Sequence, residues 1–321
     1  MLHTALRVSF RKRPHNPAKS KFLSLLLSSS ALLFLSACNT SPGGTKSSIR
    51  VVAAENEYGN IAGQLGGKYV SVTSVMSNPN TDPHEYEASA STASLIANAQ
   101  IVIQNGLGYD SFINKLESAS PNGSRINLDV QTVLHLPNGT TNPHLWYDPY
   151  YVASMSKTFT KDLIKLAPSH KKYFILHERN FLLSLGKLEN QIRTFKSQHK
   201  NIKAATTEPV ADYLLNALGI DNVTPWPLQA AIMNGIDPSP EAVSLELNLL
   251  SARKVKLFVY NRQVTTSLTQ SFLESANKNS IPVVGVYETM PTPGYNYQTW
   301  MGAEIKAIQK AVTKHFGTTK L

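Results

Sequence analysis

Two histidines in separate parts of the chain each stand directly after a proline, in Thr81-Asp82-Pro83-His84-Glu85-Tyr86 and in Asn142-Pro143-His144-Leu145-Trp146-Tyr147-Asp148. Neutral imidazole is a common transition-metal ligand, so two such histidines suggest one shared ion. Proline fixes its own backbone torsion and pushes the residue before it towards an extended conformation, so each histidine starts from a restrained position. Metal sites need that restraint, often with a carboxylate on the other ring nitrogen, and Asp82 and Asp148 are candidates for this supporting role. Acids that could complete a ligand set are Glu208 in Thr207-Glu208-Pro209 and Glu288 in Val286-Tyr287-Glu288-Thr289-Met290. Glu208 also has a plainer explanation, because an acid at a helix start complements the dipole. Asp237 and Glu241 flank Ser239 and Pro240, which read as a helix cap and first turn and make both acids structural.

The remaining histidines carry less. His177 falls on an apolar helical stripe between Phe174 and Phe181 and reads as a packing residue; His170 and His199 read as solvent-facing helix ends. His177-Glu178 lacks the second histidine of a zinc-protease helix, and Gly106-Leu107-Gly108 lacks the third glycine and the Lys-Ser/Thr of a phosphate loop, so it reads as a turn.

The elements that must position these groups alternate. Strands are expected over 49–54, 70–76 and 101–104, with helical stretches at 60–65, 89–99 and 109–116 between or after them; a second set places strands at 202–206, 255–260 and 281–286, with helices at 210–218, 265–276 and about 299–312. Such alternation implies parallel sheets with helices on both faces, and ligands then bind beyond the carboxyl ends of the strands. His84, Glu208 and Glu288 all follow expected strands. A helix-compatible stretch runs over 149–166. Beyond Pro168, the residues Phe174, Phe181, Leu185, Leu188, Ile192 and Phe195 recur at helical steps, which predicts an amphipathic helix of roughly 30 residues, about 45 Å long, able to brace two lobes.

The amino-terminal segment reads as an address. Six basic residues precede the apolar run 22–35, which ends at Leu35-Ser36-Ala37-Cys38, so residues 1–37 have the pattern of a secretory signal. Leu-Ser-Ala-Cys resembles a bacterial lipobox, which makes Cys38 the expected lipidation site; it is the only cysteine, so no internal disulfide supports the fold. Residues 38–48 read as a flexible tether. Without the six leader cations, the 31 Lys+Arg fall to 25 against 21 Asp+Glu, a formal +4, too mild to argue for nucleic acid. The remaining length, about 270 residues, exceeds the usual single core and predicts two lobes: 49–165, a connecting helix at 166–199, and 200–321. Two imidazoles and two carboxylates are then expected to converge between the lobes.

Together, the lipobox, Asp82-Pro83-His84-Glu85-Tyr86, Asn105-Gly106-Leu107-Gly108, Asn142-Pro143-His144-Leu145-Trp146, the long helix, Thr207-Glu208-Pro209 and the late Glu288 resemble the zinc- and manganese-binding solute-binding lipoproteins of ABC transporters (bacterial solute-binding protein family 9), over about residues 49–315. The resemblance implies two parallel-sheet α/β lobes joined by a rigid backbone helix, with one metal in the interlobe cleft and limited domain movement. Its four ligands correspond to His84, His144, Glu208 and Glu288. Many relatives carry Asp at the last position, and Asp237 is a competing acid. The expected role is capture of a divalent transition metal and delivery to a membrane permease, with no turnover, by a monomer anchored outside the cytoplasm. Zinc-specific relatives commonly have a third histidine where Glu208 stands, and some carry a His-rich acidic loop; neither occurs here. Two carboxylates tilt the expectation towards Mn²⁺, although raw affinity still favours Zn²⁺. A secreted metallohydrolase, with an acid serving as general base beside an open water position, is the alternative from the enzyme class; a surface adhesin is the other.

Overall fold

The computed structural model describes residues 48–321, so the leader, Cys38 and nearly all of the tether lie outside the described residues. The chain runs β1 (Ile49–Glu55), α1 (Asn56–Gly66), β2 (Val70–Met76), α2 (Ala90–Asn98), β3 (Ile101–Gln104), α3 (Phe112–Ala119), β4 (Ile126–Asp129), α4 (Val130–Val133), α5 (Pro149–Leu166), α6 (Lys171–Gln198), β5 (Ile202–Thr206), α7 (Asp212–Leu218), β6 (Ile220–Asn222), α8 (Trp226–Met233), α9 (Pro240–Ser251), β7 (Leu257–Asn261), α10 (Ser267–Lys278), β8 (Val283–Val286) and α11 (Tyr297–Lys314).

Two four-stranded sheets result, ordered β2-β1-β3-β4 and β6-β5-β7-β8, with parallel pairing throughout. Strands β3 and β7 in the sheet interiors are buried at every position and β1 at all but Arg50, as strands covered on both faces must be; β8, at the edge of its sheet, is buried throughout as well, with Val284 bridging Thr318. Each sheet reverses its strand order beside its first strand, between β1 and β3 and between β5 and β7, and a crevice opens there beyond the strand ends. The edge strands β4 and β6 are additions to the sequence reading. Both are short, partly exposed and carry Asn and Asp, so neither shows the apolar run that marks the central strands.

The long helix forms as its periodicity predicts. α6 spans 28 residues and buries Phe174, Phe181, Leu185, Leu188, Ile192 and Phe195. It packs against α1 and α5 on one side and α7 and α11 on the other. The largest apolar cluster therefore runs without a break from Val51, Ala53 and Ile101 of the first sheet, through α6, to Ala204, Leu257 and Val259 of the second. His177 packs as expected: Nδ1 lies 2.8 Å from the Gln64 carbonyl, and the ring stacks on Tyr173. His170 and His199 are half-buried rather than solvent-facing, because His170 stacks on Tyr69 at 3.8 Å and His199 packs against Phe195.

Local signals in the sequence account for the element ends nearest the cleft. Asp148 caps α5 by accepting from the Tyr150 N–H, followed by Pro149, and Ser239 caps α9 by accepting from the Ala242 N–H, followed by Pro240. The Asn105–Gly108 segment is a turn in which Gly106, Leu107 and Gly108 all have positive φ. A side chain at Gly106 would meet Asp129 and Gln131, so this turn requires glycine there. The Asp110 carboxylate accepts from the Asn105 and Gly106 N–H groups at 2.6 and 3.0 Å, filling the place a phosphate would need.

Candidate metal centre

The two Pro-His segments build their histidines in the same way. The Asp82 carboxylate accepts from the His84 backbone N–H at 2.9 Å, and the Asn142 amide oxygen accepts from the His144 backbone N–H at 3.0 Å. In each case the residue before the proline closes a short turn over it, which aims the next side chain. Asp82 thus supports His84 through its backbone. Asp148 departs from expectation: its carboxylate serves the start of α5, and the partner of the His144 ring is Asn142, whose Oδ1 lies 2.8 Å from Nδ1.

This contact decides the chemistry of His144. The Asn142 amide cannot be turned round, because its NH₂ donates to the Pro209 carbonyl at 2.8 Å while its oxygen accepts from the His144 N–H. The His144 Nδ1 must therefore carry the proton, and in the neutral ring Nε2 presents a lone pair. That lone pair faces Glu288 Oε2 at 3.2 Å. Two acceptors at that separation are reconciled only by a cation between them, a proton or a metal ion.

His84 converges on the same oxygen, with Nε2 at 3.1 Å from Glu288 Oε2 but without the alignment of a hydrogen bond. Tyr109 donates its hydroxyl to that oxygen at 2.9 Å. Ligand atoms of His84, His144 and Glu288 all lie within 4.8 Å of one another. His144 and Glu288 are fully enclosed, whereas the His84 side chain keeps 21% of its surface open and marks the way in.

Glu208 lies in the same buried region, 2% exposed, but its carboxylate does not reach that three-residue cluster. Asn261, at the end of β7, joins it to the cluster: its NH₂ donates to Glu208 Oε1 at 3.1 Å and to Glu288 Oε1 at 2.7 Å. The other oxygen, Glu208 Oε2, is buried with no partner among the described residues. Asp237 is exposed on the loop before α9 and does not belong to the three-residue cluster.

Electrostatics divide the two carboxylates. Burial, and then the charge of Glu288, push the Glu208 carboxyl well above its usual range. Burial would also raise Glu288, but its contacts with His144 and His84 outweigh that and hold it well below. His144 is lowered, chiefly by burial. For His84, burial is outweighed by the Glu288 carboxylate, and its value is raised. Without metal, Glu288 is thus held towards its ionised form by the two histidine rings, and Glu208 towards its protonated form by burial.

Residues from both lobes frame this arrangement. Gln263 accepts from the Glu288 and Thr289 N–H groups at 2.6 and 2.8 Å and donates to the Thr81 carbonyl at 2.6 Å, so one side chain ties the His84 loop to the Glu288 loop. Asn56 exchanges both its amide groups with the Met290 backbone. The sequence reading missed Asn261, Gln263 and Tyr109. For Asn261 and Gln263 the available signal was a polar run, Asn261-Arg262-Gln263, with two side-chain amides at the end of an apolar strand.

A family model for the zinc-uptake complex component A, periplasmic, matches residues 51–311. The chain belongs to this family. Among relatives, the manganese ABC transporter substrate-binding lipoprotein PsaA of Streptococcus pneumoniae is 25% identical over 288 residues, which cover 82% of this chain and 88% of that one. The manganese-binding lipoprotein MntA of Halalkalibacterium halodurans is 23% identical over 208 residues, 62% of this chain and 68% of the relative. The fold is shared with the substrate-binding protein FpvC of Pseudomonas aeruginosa, solved with Mn²⁺, at a TM-score of 0.68 and 18% identity over 83% of this chain and 99% of that one. The family consists of substrate-binding components of importers, which sets aside the hydrolase and adhesin alternatives.

Proposed function

We propose that His84, His144, Glu208 and Glu288 hold one divalent transition-metal ion as transported cargo, and that the protein passes it to the permease of an ABC importer. The observation that carries this reading is the convergence of three ligand atoms on a point where two acceptors already face each other. A cation supplied there satisfies His144 Nε2, Glu288 Oε2 and the His84 ring together, and the unpartnered Glu208 Oε2, in the same lobe as Glu288, is the candidate fourth donor. With four protein ligands the shell has no open position for an activated water, as suits a carrier. The two carboxylates favour Mn²⁺ as the physiological cargo, while affinity order lets Zn²⁺ occupy the same ligands in a mixture. The protein acts as a monomer, held outside the cytoplasm by a lipid on Cys38.

The test is calorimetric titration of chelator-stripped protein with Mn²⁺ and Zn²⁺ in parallel, with His144→Ala as control. Tight one-to-one binding that the variant loses supports the assignment. Undiminished binding by the variant overturns it.

A further inference from the structure

The buried face of α6 braces both lobes, but its opposite face has no partner among the described residues and is not an ordinary solvated surface. Lys172, Leu176, Arg179, Leu183 and Lys187 succeed one another along it at steps of four, three, four and four residues, and all are exposed. Leu176 and Leu183 keep 54% and 62% of their surface in solvent, and Ile175 beside them keeps 46%. The acids of this helix stand to the side: Glu178 and Glu189 are half-buried, and Glu189 is paired with Arg193 at 3.7 Å. The outward row is therefore aliphatic side chains between cations, with no anion in it.

Its position along the fold adds a second observation. Ile49, the first residue of β1, pairs with Val70, and the adjacent Tyr69 stacks on His170 at the start of α6, with the Lys68 ammonium over the Tyr69 ring at 5.3 Å. The point where the chain emerges into the tether is thus at the amino-terminal end of this same row, where the aromatic and basic groups Lys68, Tyr69, Lys171 and Lys172 gather. The residues between Cys38 and Ile49 span at most about 35 Å when extended.

We propose that the outward face of α6 docks on an anionic lipid surface, with Leu176 and Leu183 entering the headgroup layer and Lys172, Arg179 and Lys187 pairing with lipid phosphates. Cations interleaved with aliphatic side chains on an exposed helix, with a tyrosine nearby, are the composition such an interface takes. The inference rests on the reading of Cys38 as the lipid anchor, which brings this end of the molecule to the bilayer. In that pose the centre formed by His84, His144 and Glu288, at the other end of β1, stays clear of the membrane to meet cargo.

Residues 46–321 form one compact unit that contains all three apolar clusters, so this unit is used without lipid. It is sedimented with vesicles of phosphatidylcholine alone or mixed with phosphatidylglycerol. Retention on the anionic vesicles only is expected. Replacing Lys172, Arg179 and Lys187 by Gln should weaken it about fivefold per residue. Leu176→Ser with Leu183→Ser should weaken it further with the charges intact. Equal retention on neutral vesicles, no retention on anionic ones, or indifference to both variant sets overturns the proposal, as does a dimer in solution that Leu183→Ser dissociates. Metal titration of each variant should be unchanged. If the native unit docks but binds no metal, the cargo reading falls and the docking surface stands. Acylation of the full chain, and its loss in Cys38→Ser, tests the anchor separately.

Discussion

At the scale of single residues, Asn142 decides what His144 can do. Its amide is held by Pro209 and by the His144 backbone, and it keeps the proton on Nδ1 so that Nε2 is available to a metal. Asn142→Leu should therefore lower metal affinity by about 10- to 100-fold while His144 stays in place; competition titration against a chelator of known affinity checks this. Metal binding should also release protons. His84, raised by the Glu288 contact against the effect of burial, and Glu208, raised by burial and by Glu288, both hold protons that a metal must displace. Titration in two buffers of different ionisation heats should show net proton release near neutrality, and affinity should fall as the pH drops from 7.5 to 5.5. An affinity that stays flat over that interval would contradict these protonation states. His84, His144 and Glu288, which meet in the structure, were legible in the sequence because proline and a strand end announce them. The amides were not, since Asn142, Asn261 and Gln263 acquire their roles from partners 67, 53 and 182 positions away.

At the scale of elements, α6 is the part whose sequence pattern translated most directly into structure, because six large apolar residues at helical spacing leave one face to bury and one way to bury it. Leu188 is 3% exposed within the cluster common to both sheets. Leu188→Ala should cost about 2–5 kcal/mol by losing transfer free energy and leaving a cavity, measured by urea unfolding, with the metal affinity of the folded protein unchanged. The Gln263 bridge behaves differently. It joins loops of the two lobes through a few hydrogen bonds, so Gln263→Ala should change stability little by comparison while it frees the His84 loop from Glu288. Faster metal dissociation, followed by stopped-flow chelation, is the expected outcome. The edge strands β4 and β6 escaped the sequence reading because, at four and three residues with Asn and Asp among them, they are too short and too polar to show an apolar run.

At the scale of the whole molecule, the burial of acids governs how stability depends on pH. Burial pushes Glu57, Glu246 and Glu304, apart from those of the metal centre, up to about 8. In the unfolded chain the same groups ionise near the ordinary carboxylate value, so between that value and about pH 8 the folded state holds more protons. Stability must then decrease as the pH rises through this window, by at most about 1.4 kcal/mol per pH unit for each such group. The melting temperature of the metal-free protein should accordingly be higher at pH 5.5 than at pH 8. The continuous cluster through α6 further predicts that both lobes melt in one transition, since neither can lose its packing without exposing part of the other's. Two separated calorimetric peaks would show that the lobes are independent.

The sequence by itself determined the class of fold, the bracing helix and the family, because hydrophobic periodicity and Pro-His motifs are local features that chain order itself displays. It also marked His84, His144, Glu208 and Glu288 as the groups with metal chemistry. Only the tertiary structure decided which of them meet. Parallel sheets with reversed strand order bring the ends of β1, β3, β5 and β7 to a common crevice, and the choice between Asp148 and Asn142 beside His144, or between Asp237 and Glu288 near the histidines, depends on distances that chain order does not encode. The protonation of the centre was decided there as well, since burial and facing charges exist only once both lobes have closed around it.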